Sequence, residues 1–216
     1  MKANQLTNRH FAVETKNFIF EEKQPVYSGS TTSAPATNAP YSIETDQNYI
    51  LAYMLTVKKD TVAGYMHKSR AMNLSDAVTV TVKDFQGKFS ERNFKANEVS
   101  RLILSNGEEY ATVSFKLSVD NGGMTIAAAS KKFVKEMFVG KKIGIYQYFN
   151  GEVILKMANE SEGKSNASAS WMLGPKKRFE EMAKGCPSLL ERVEKKEFKN
   201  NLESILSFAE ALEACK

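Results

Sequence analysis

Apolar and polar residues alternate most regularly between Tyr110 and Val119. Ala111, Val113, Phe115, Leu117 and Val119 fall on one side, and Tyr110, Thr112, Ser114, Lys116 and Ser118 on the other. A period of two is the signature of a half-buried strand. Val78, Val80 and Val82 repeat it, interleaved with Thr79, Thr81 and Lys83, and Tyr49–Val57 is a longer apolar run. Ile143–Phe149 and Glu152–Met157 flank Asn150-Gly151, a strong short-range hairpin signal. Asp120-Asn121-Gly122-Gly123 reads as a turn, Met124–Ala128 as a strand-like run, and Lys16–Phe20 as an isolated strand near the N-terminus. These signals predict a β-rich domain over residues 48–158.

Helical spacing enters in two places. Ala127–Val139 sets Phe133 against Met137 and Val134 against Phe138 at i, i+4, with Gly140 following as a helix stop, so a helix is expected there. Residues 171–216 read as helical throughout. Pro175 and Pro187 suit first turns, Gly185 separates two segments, and a last helix over Ser188–Ala214 carries Phe198, Leu202, Ile205, Leu206, Ala209 and Leu212 on one stripe. Such a stripe most often packs on its own domain. Gln24–Pro40 holds three of the five prolines with almost no charge or bulky apolar residue, so residues 24–47 read as a linker or arm, leaving 1–23 as an N-terminal segment. Residues 159–170, rich in Ser, Asn and Gly, read as a second linker. The fold expected is mainly β with α: an OB-like β-barrel, or a small antiparallel barrel or sandwich, with a helical C-terminal tail.

Charge changes this picture modestly. The net charge is +5, and residues 49–157 carry 16 Lys/Arg against 10 Asp/Glu, so the excess lies in the β-rich part. That distribution suits a polyanionic partner, and it is equally ordinary for a cytosolic protein. No stretch of eighteen apolar residues suggests a membrane span, and no apolar segment follows Met1-Lys2-Ala3-Asn4-Gln5, so a cytoplasmic location is expected. Cys186 and Cys215 form no CxxC pair; unpaired thiols in a reducing compartment are the simpler reading, a disulfide the alternative.

Candidate chemistry is sparse. His67 stands beside Lys68 and Arg70 without a nucleophile elbow, and His10 and His67 are the only histidines, so neither a Ser-His-Asp constellation nor a zinc site is expected. Gly140-Lys141-Lys142 lacks the remaining residues of a phosphate loop. Glu21-Glu22, Glu108-Glu109 and Glu180-Glu181 are adjacent pairs whose side chains diverge. No enzyme activity and no cofactor are predicted. Gly174-Pro175-Lys176-Lys177-Arg178, just after Trp171, is either a phosphate-contact patch or the charged first turn of a solvated helix.

Two segments carry a likeness. Asn106–Val119 resembles the strand ending in A-x-F-x-L-x-V of OB-fold single-stranded DNA-binding proteins, and Phe133–Tyr146 resembles their helix, Lys-Gly turn and next strand. The resemblance spans roughly residues 106–157. It implies a non-catalytic binder of single-stranded nucleic acid, a replication or recombination accessory of cellular or phage type. Such binding needs cations for the backbone and aromatic faces for the bases. Tyr110, Lys116, Tyr146 and Tyr148 on the polar strand face, Lys141 and Lys142 at a strand entrance, and Tyr65, Lys68 and Arg70 upstream are the candidate site residues. The rival is a structural or assembly subunit, of virion type or another oligomeric scaffold, reaching a second copy or a partner protein through the N-terminal arm and the C-terminal helix.

Overall fold

A computed structural model describes residues 42–117 and 128–215. The strand expected at Lys16–Phe20, most of the 24–47 arm, the Asp120–Gly123 turn and most of Met124–Ala128 lie outside them. The described chain is mainly antiparallel β with C-terminal helices, an α+β architecture. The strands are β1 (Tyr49–Thr56), β2 (Thr61–His67), β3 (Ala77–Lys83), β4 (Phe89–Lys95), β5 (Val99–Leu104), β6 (Glu109–Phe115), β7 (Ser130–Val139), β8 (Ile143–Gln147), β9 (Val153–Met157) and β10 (Lys164–Ser165). The helices are α1 (Lys68–Ala71), α2 (Ala169–Leu173), α3 (Pro175–Met182), α4 (Pro187–Glu194) and α5 (Leu202–Ala214). None of these helices is long and apolar enough to cross a membrane.

The ten strands form one sheet in the order β10-β9-β8-β7-β6-β5-β1-β2-β3-β4. It is open, with β4 and β10 as its edges, which corrects the expected barrel. Closure would need a ladder between distant strands. Only isolated ties approach it among the described residues: Phe133 N–H donates to the Ser75 carbonyl (2.7 Å), tying the entry to β3 onto β7, and Gly163 N–H donates to the Ser114 carbonyl (2.8 Å), bridging the entry to β10 onto β6. Four hairpins, β1–β2, β3–β4, β5–β6 and β8–β9, turn on the same device. A three-residue loop is closed by paired backbone bonds, with its third residue at positive φ: Lys59 (68°), Gly87 (81°), Gly107 (86°) and Gly151 (90°). The Asn150-Gly151 signal is one of these.

The helix expected over Ala127–Val139 is instead strand β7, paired to β6 and β8. Its i, i+4 apolar pairs mislead because four is also an even number, so the same residues recur on the faces of a strand covered on both sides. Phe133 joins a core with Met54, Leu102 and Leu104, while Val134 joins another with Val113, Phe115 and Ile154. A bulge between Glu136 and Phe138 then shifts the phase and brings Phe138 opposite Ile145. Gly140 serves a close approach rather than a helix stop, since a Cβ there would collide with the Glu213 carboxylate.

The helices pack on β8 and β9. Ile143, Ile145, Val153 and Leu155 meet Trp171, Phe179, Leu189, Phe208 and Leu212, all fully or almost fully buried. Burying each such side chain is worth about 1.5–3 kcal/mol. Pro175 and Pro187 open α3 and α4 as expected. The single helix over Ser188–Ala214 is corrected to two: Lys196 takes a left-handed φ of 58°, and Asn201 caps α5 by accepting from Ser204 N–H (2.9 Å). Phe198 fills the break, 5.2 Å from the Phe208 ring. α5 buries Ile205, Phe208, Ala209 and Leu212 within its own domain. Residues 164–165 of the expected 159–170 linker pair with β9.

Cys186 and Cys215 are joined in a disulfide (Cα–Cα 5.9 Å) that fastens the end of α5 to the start of α4, correcting the expectation of free thiols. Such bonds persist in oxidising compartments, so the thiols no longer argue for a reducing one.

Three stability changes are expected in urea denaturation. Lys59→Gly raises the unfolding free energy by about 1 kcal/mol, and Gly107→Ala, at a site where a Cβ meets no atom within 4 Å, lowers it by about 1–2 kcal/mol through conformation alone. Cys186→Ala/Cys215→Ala, opening a loop with a sequence separation of 29, lowers it by about 3 kcal/mol.

Candidate nucleic-acid interface

In strand β1, Ala52 and Met54 point into the core with Met66, Leu102 and Leu104. The pleat therefore turns Tyr49, Leu51, Tyr53 and Leu55 to the opposite face. Their cross-strand partners share that face: Tyr49 lies opposite His67, Leu51 opposite Tyr65, and Tyr53 opposite Ala63 and Ile103. Tyr65 in turn faces Thr81, and Lys83 faces Phe89. The result is a half-buried aromatic surface spanning β4-β3-β2-β1. The Tyr65 and Phe89 rings stand edge to face at 6.3 Å, and those of Tyr49 and His67 at 5.2 Å. Lys83 Nζ lies 5.4 Å from the Phe89 ring centroid and 2.7 Å from the Glu44 carboxylate. Partial burial, then the Glu44 charge, raise the Tyr65 hydroxyl pKa.

The surface runs into a cleft of about 980 Å³. Its walls are the start of β1 (Tyr49 to Leu51), the α1 region (Lys68, Ala71, Met72), the β5–β6 turn (Ser105, Asn106), Tyr110 and Lys135, and the β8–β9 turn (Tyr148, Phe149). Met72 and Phe149 are 70% and 51% exposed on its rim. α1 is set there by His67, whose Nδ1 accepts the Ser69 N–H (3.3 Å) as an N-cap, a structural role for this histidine.

Of the residues named from sequence, Tyr65, Lys68, Tyr110 and Tyr148 all border this cleft. Arg70 lies close by on α1 and reaches Glu91 of β4 (3.2 Å). Tyr110 and Tyr148 are not the exposed tyrosines expected, since only 8% and 4% of their surface is accessible. They are rigid walls. The Tyr110 hydroxyl donates to Glu108 (3.3 Å), and that of Tyr148 shares a 2.5 Å hydrogen bond with Ser75. Burial first, and the Glu108 charge next, push the Tyr110 pKa up to about 12. Tyr146 is half-buried against the Val113–Phe115 cluster, where desolvation and Glu136 raise its pKa.

Three lysines stand outside the cleft. Lys116 is exposed just beyond β6. Lys141 and Lys142 border a separate cavity of about 330 Å³ with Cys186 and Cys215. Lys142 Nζ donates to the Leu212 carbonyl (3.0 Å) and to that of Cys215 (2.5 Å), so it caps α5. Trp171, 1% exposed, is a core residue. Sequence reasoning missed Tyr49, Tyr53, Lys83, Phe89, Lys135 and Phe149. A signal existed in Tyr49-x-Leu51-x-Tyr53, where large residues alternate with Ile50, Ala52 and Met54 inside what reads as a uniform apolar run.

Ion pairs hold several of the mid-chain cations. Arg101 is held by Glu109 and by Glu136 (3.2 Å), Lys135 by Glu108, and Lys132, itself buried, by Asp76 (2.6 Å). Burial raises the Glu136 pKa against the pull of Arg101, while the hydrogen bond from Lys135 lowers that of Glu108.

No family model, curated protein or solved structure matches this chain.

The two shifts have opposite linkage. Glu136, with a raised folded pKa, contributes stability below the ordinary carboxylate range that is lost as pH rises through its folded value. Glu108, with a lowered one, contributes stability above that range that is lost as pH falls through its folded value. Urea midpoints followed from about pH 3 to about pH 7 are expected to show Glu136→Gln flattening the upper slope and Glu108→Gln the acid one.

Proposed function

We propose that this protein is a non-catalytic binder of single-stranded nucleic acid, with the strand lying across the outer face of β1–β4 and entering the cleft beside α1. The observation that carries this reading is the aromatic surface of Tyr49, Tyr53, Tyr65 and Phe89, which stands half-open on a sheet whose other face is core. Aromatic faces accept any base, and each stack is worth about 1–3 kcal/mol. Lys68, Arg70 and Lys83 edge this surface and meet phosphates. Because carboxylates partner Arg70 and Lys83, stacking contributes more than charge. The segments resembling single-stranded DNA-binding proteins lend less weight, since the stretch matched to that family's helix is strand β7.

The test is anisotropy of a labelled oligo-dT titrated with the full chain at several salt concentrations. Binding is expected to weaken with salt at a log–log slope of about −2, as for roughly three phosphate contacts. Tyr53→Ala and Tyr65→Ala are each expected to weaken it roughly tenfold with the circular dichroism spectrum preserved. Absence of binding below about 100 µM at low salt, where even non-specific binders associate, overturns the reading.

A further inference from the structure

We propose that the β3–β4 hairpin is a base-stacking finger, with Phe85 at its tip holding one nucleobase beyond the edge of the sheet. The inference rests on the single-strand reading above and extends it to a contact outside the cleft. Phe85 is 95% exposed, the most exposed of the large apolar side chains among the described residues. It does nothing for the core, yet its position is firmly built. The Asp84 carboxylate accepts the Gln86 and Lys88 N–H groups, both at 2.9 Å. Backbone bonds from Asp84 N–H to the Lys88 carbonyl and from Gly87 N–H to the Asp84 carbonyl, both 3.0 Å, close the turn. A mobile aromatic loses freedom on binding; one carried on a closed turn loses less, which favours its use as an anchor.

The hairpin's placement supplies the ligand class. β3 and β4 pair along their full length, whereas the β2–β3 register is the single pair Tyr65–Thr81, with Gly64 close against Val80 and Val82, and the turn carrying Phe85 lies beyond it. Phe89 pairs with Lys83 one step below the closing Asp84–Lys88 pair, and its ring meets Tyr65. The aromatic row thus reaches Phe89, next to the turn that carries Phe85. The rest of the tip is polar or charged, with Gln86 and Lys88 beside Phe85. One ring among polar neighbours fits a single base with its phosphate. A tip that enters a lipid surface needs a wider apolar area.

Phe85→Trp in the full chain gives a direct reporter, because Trp171 is 1% exposed and emits from the core. Oligo-dT is expected to quench the added emission, and Phe85→Ala to weaken oligo-dT binding roughly tenfold with an unchanged melting temperature. Unquenched emission together with wild-type affinity in Phe85→Ala overturns the finger while leaving the sheet-face reading intact. No oligo-dT binding by the wild-type protein removes both. A spectral shift with phosphatidylserine vesicles but not with oligo-dT overturns the finger in favour of a lipid contact.

Discussion

The register of the β2-β1-β5 ladder, set by the burial of Ala52, Met54, Met66, Leu102 and Leu104 against one another, is the constraint on which the rest of the molecule depends. A slip of one residue would drive Tyr49, Tyr53 and Tyr65 into the core and expel those small and aliphatic side chains. The aromatic outer surface is therefore a consequence of core packing. Its tyrosines stand half-open because their alternating neighbours fill the interior.

The other half of the sheet answers to a different demand. β7 is covered on both faces, and β8 and β9 bury Ile143, Ile145, Val153 and Leu155 under the helices while Ile154 faces the opposite cluster. The helical layer is locked at its far end by a cluster of polar ties. Glu213 accepts the N–H groups of Lys142 (2.5 Å) and Ile143 (3.0 Å), Lys142 caps the last carbonyls of α5, and the disulfide joins Cys215 to Cys186. These ties engage Lys142, while Lys141 stays exposed beside the separate cavity near the disulfide, so the basic turn lies away from the cleft. The apolar stripe of α5 is likewise taken up by its own domain.

Electrostatics follows the same logic. Glu44, Asp76, Glu91, Glu108, Glu109 and Glu136 are brought onto Arg70, Lys83, Arg101, Lys132 and Lys135, so two of the cations that edge the aromatic surface, Arg70 and Lys83, already have carboxylate partners. The surface that remains is aromatic first and cationic second, and the single-strand reading leans on stacking for that reason.

Local pattern alone specified the alternating strand at β6, the Asn150-Gly151 hairpin, the prolines that open α3 and α4, and the mainly β, partly helical class. Each depends on neighbours a few residues apart. It also named Tyr65, Lys68, Tyr110 and Tyr148, which do converge on one cleft, although two of them converge as buried walls. Long-range packing settled the remainder. Whether Phe133–Met137 is helix or strand turned on β6 and β8 covering it from either side, since an i, i+4 spacing satisfies both periods. Whether Lys142 would meet a ligand or a helix end turned on where residues 70 positions away returned to the sheet. The aromatic surface itself is assembled from strands β1 to β4, and the pairing that sets Tyr53, Tyr65 and Phe89 on one face exists only once the ladder has closed over its core.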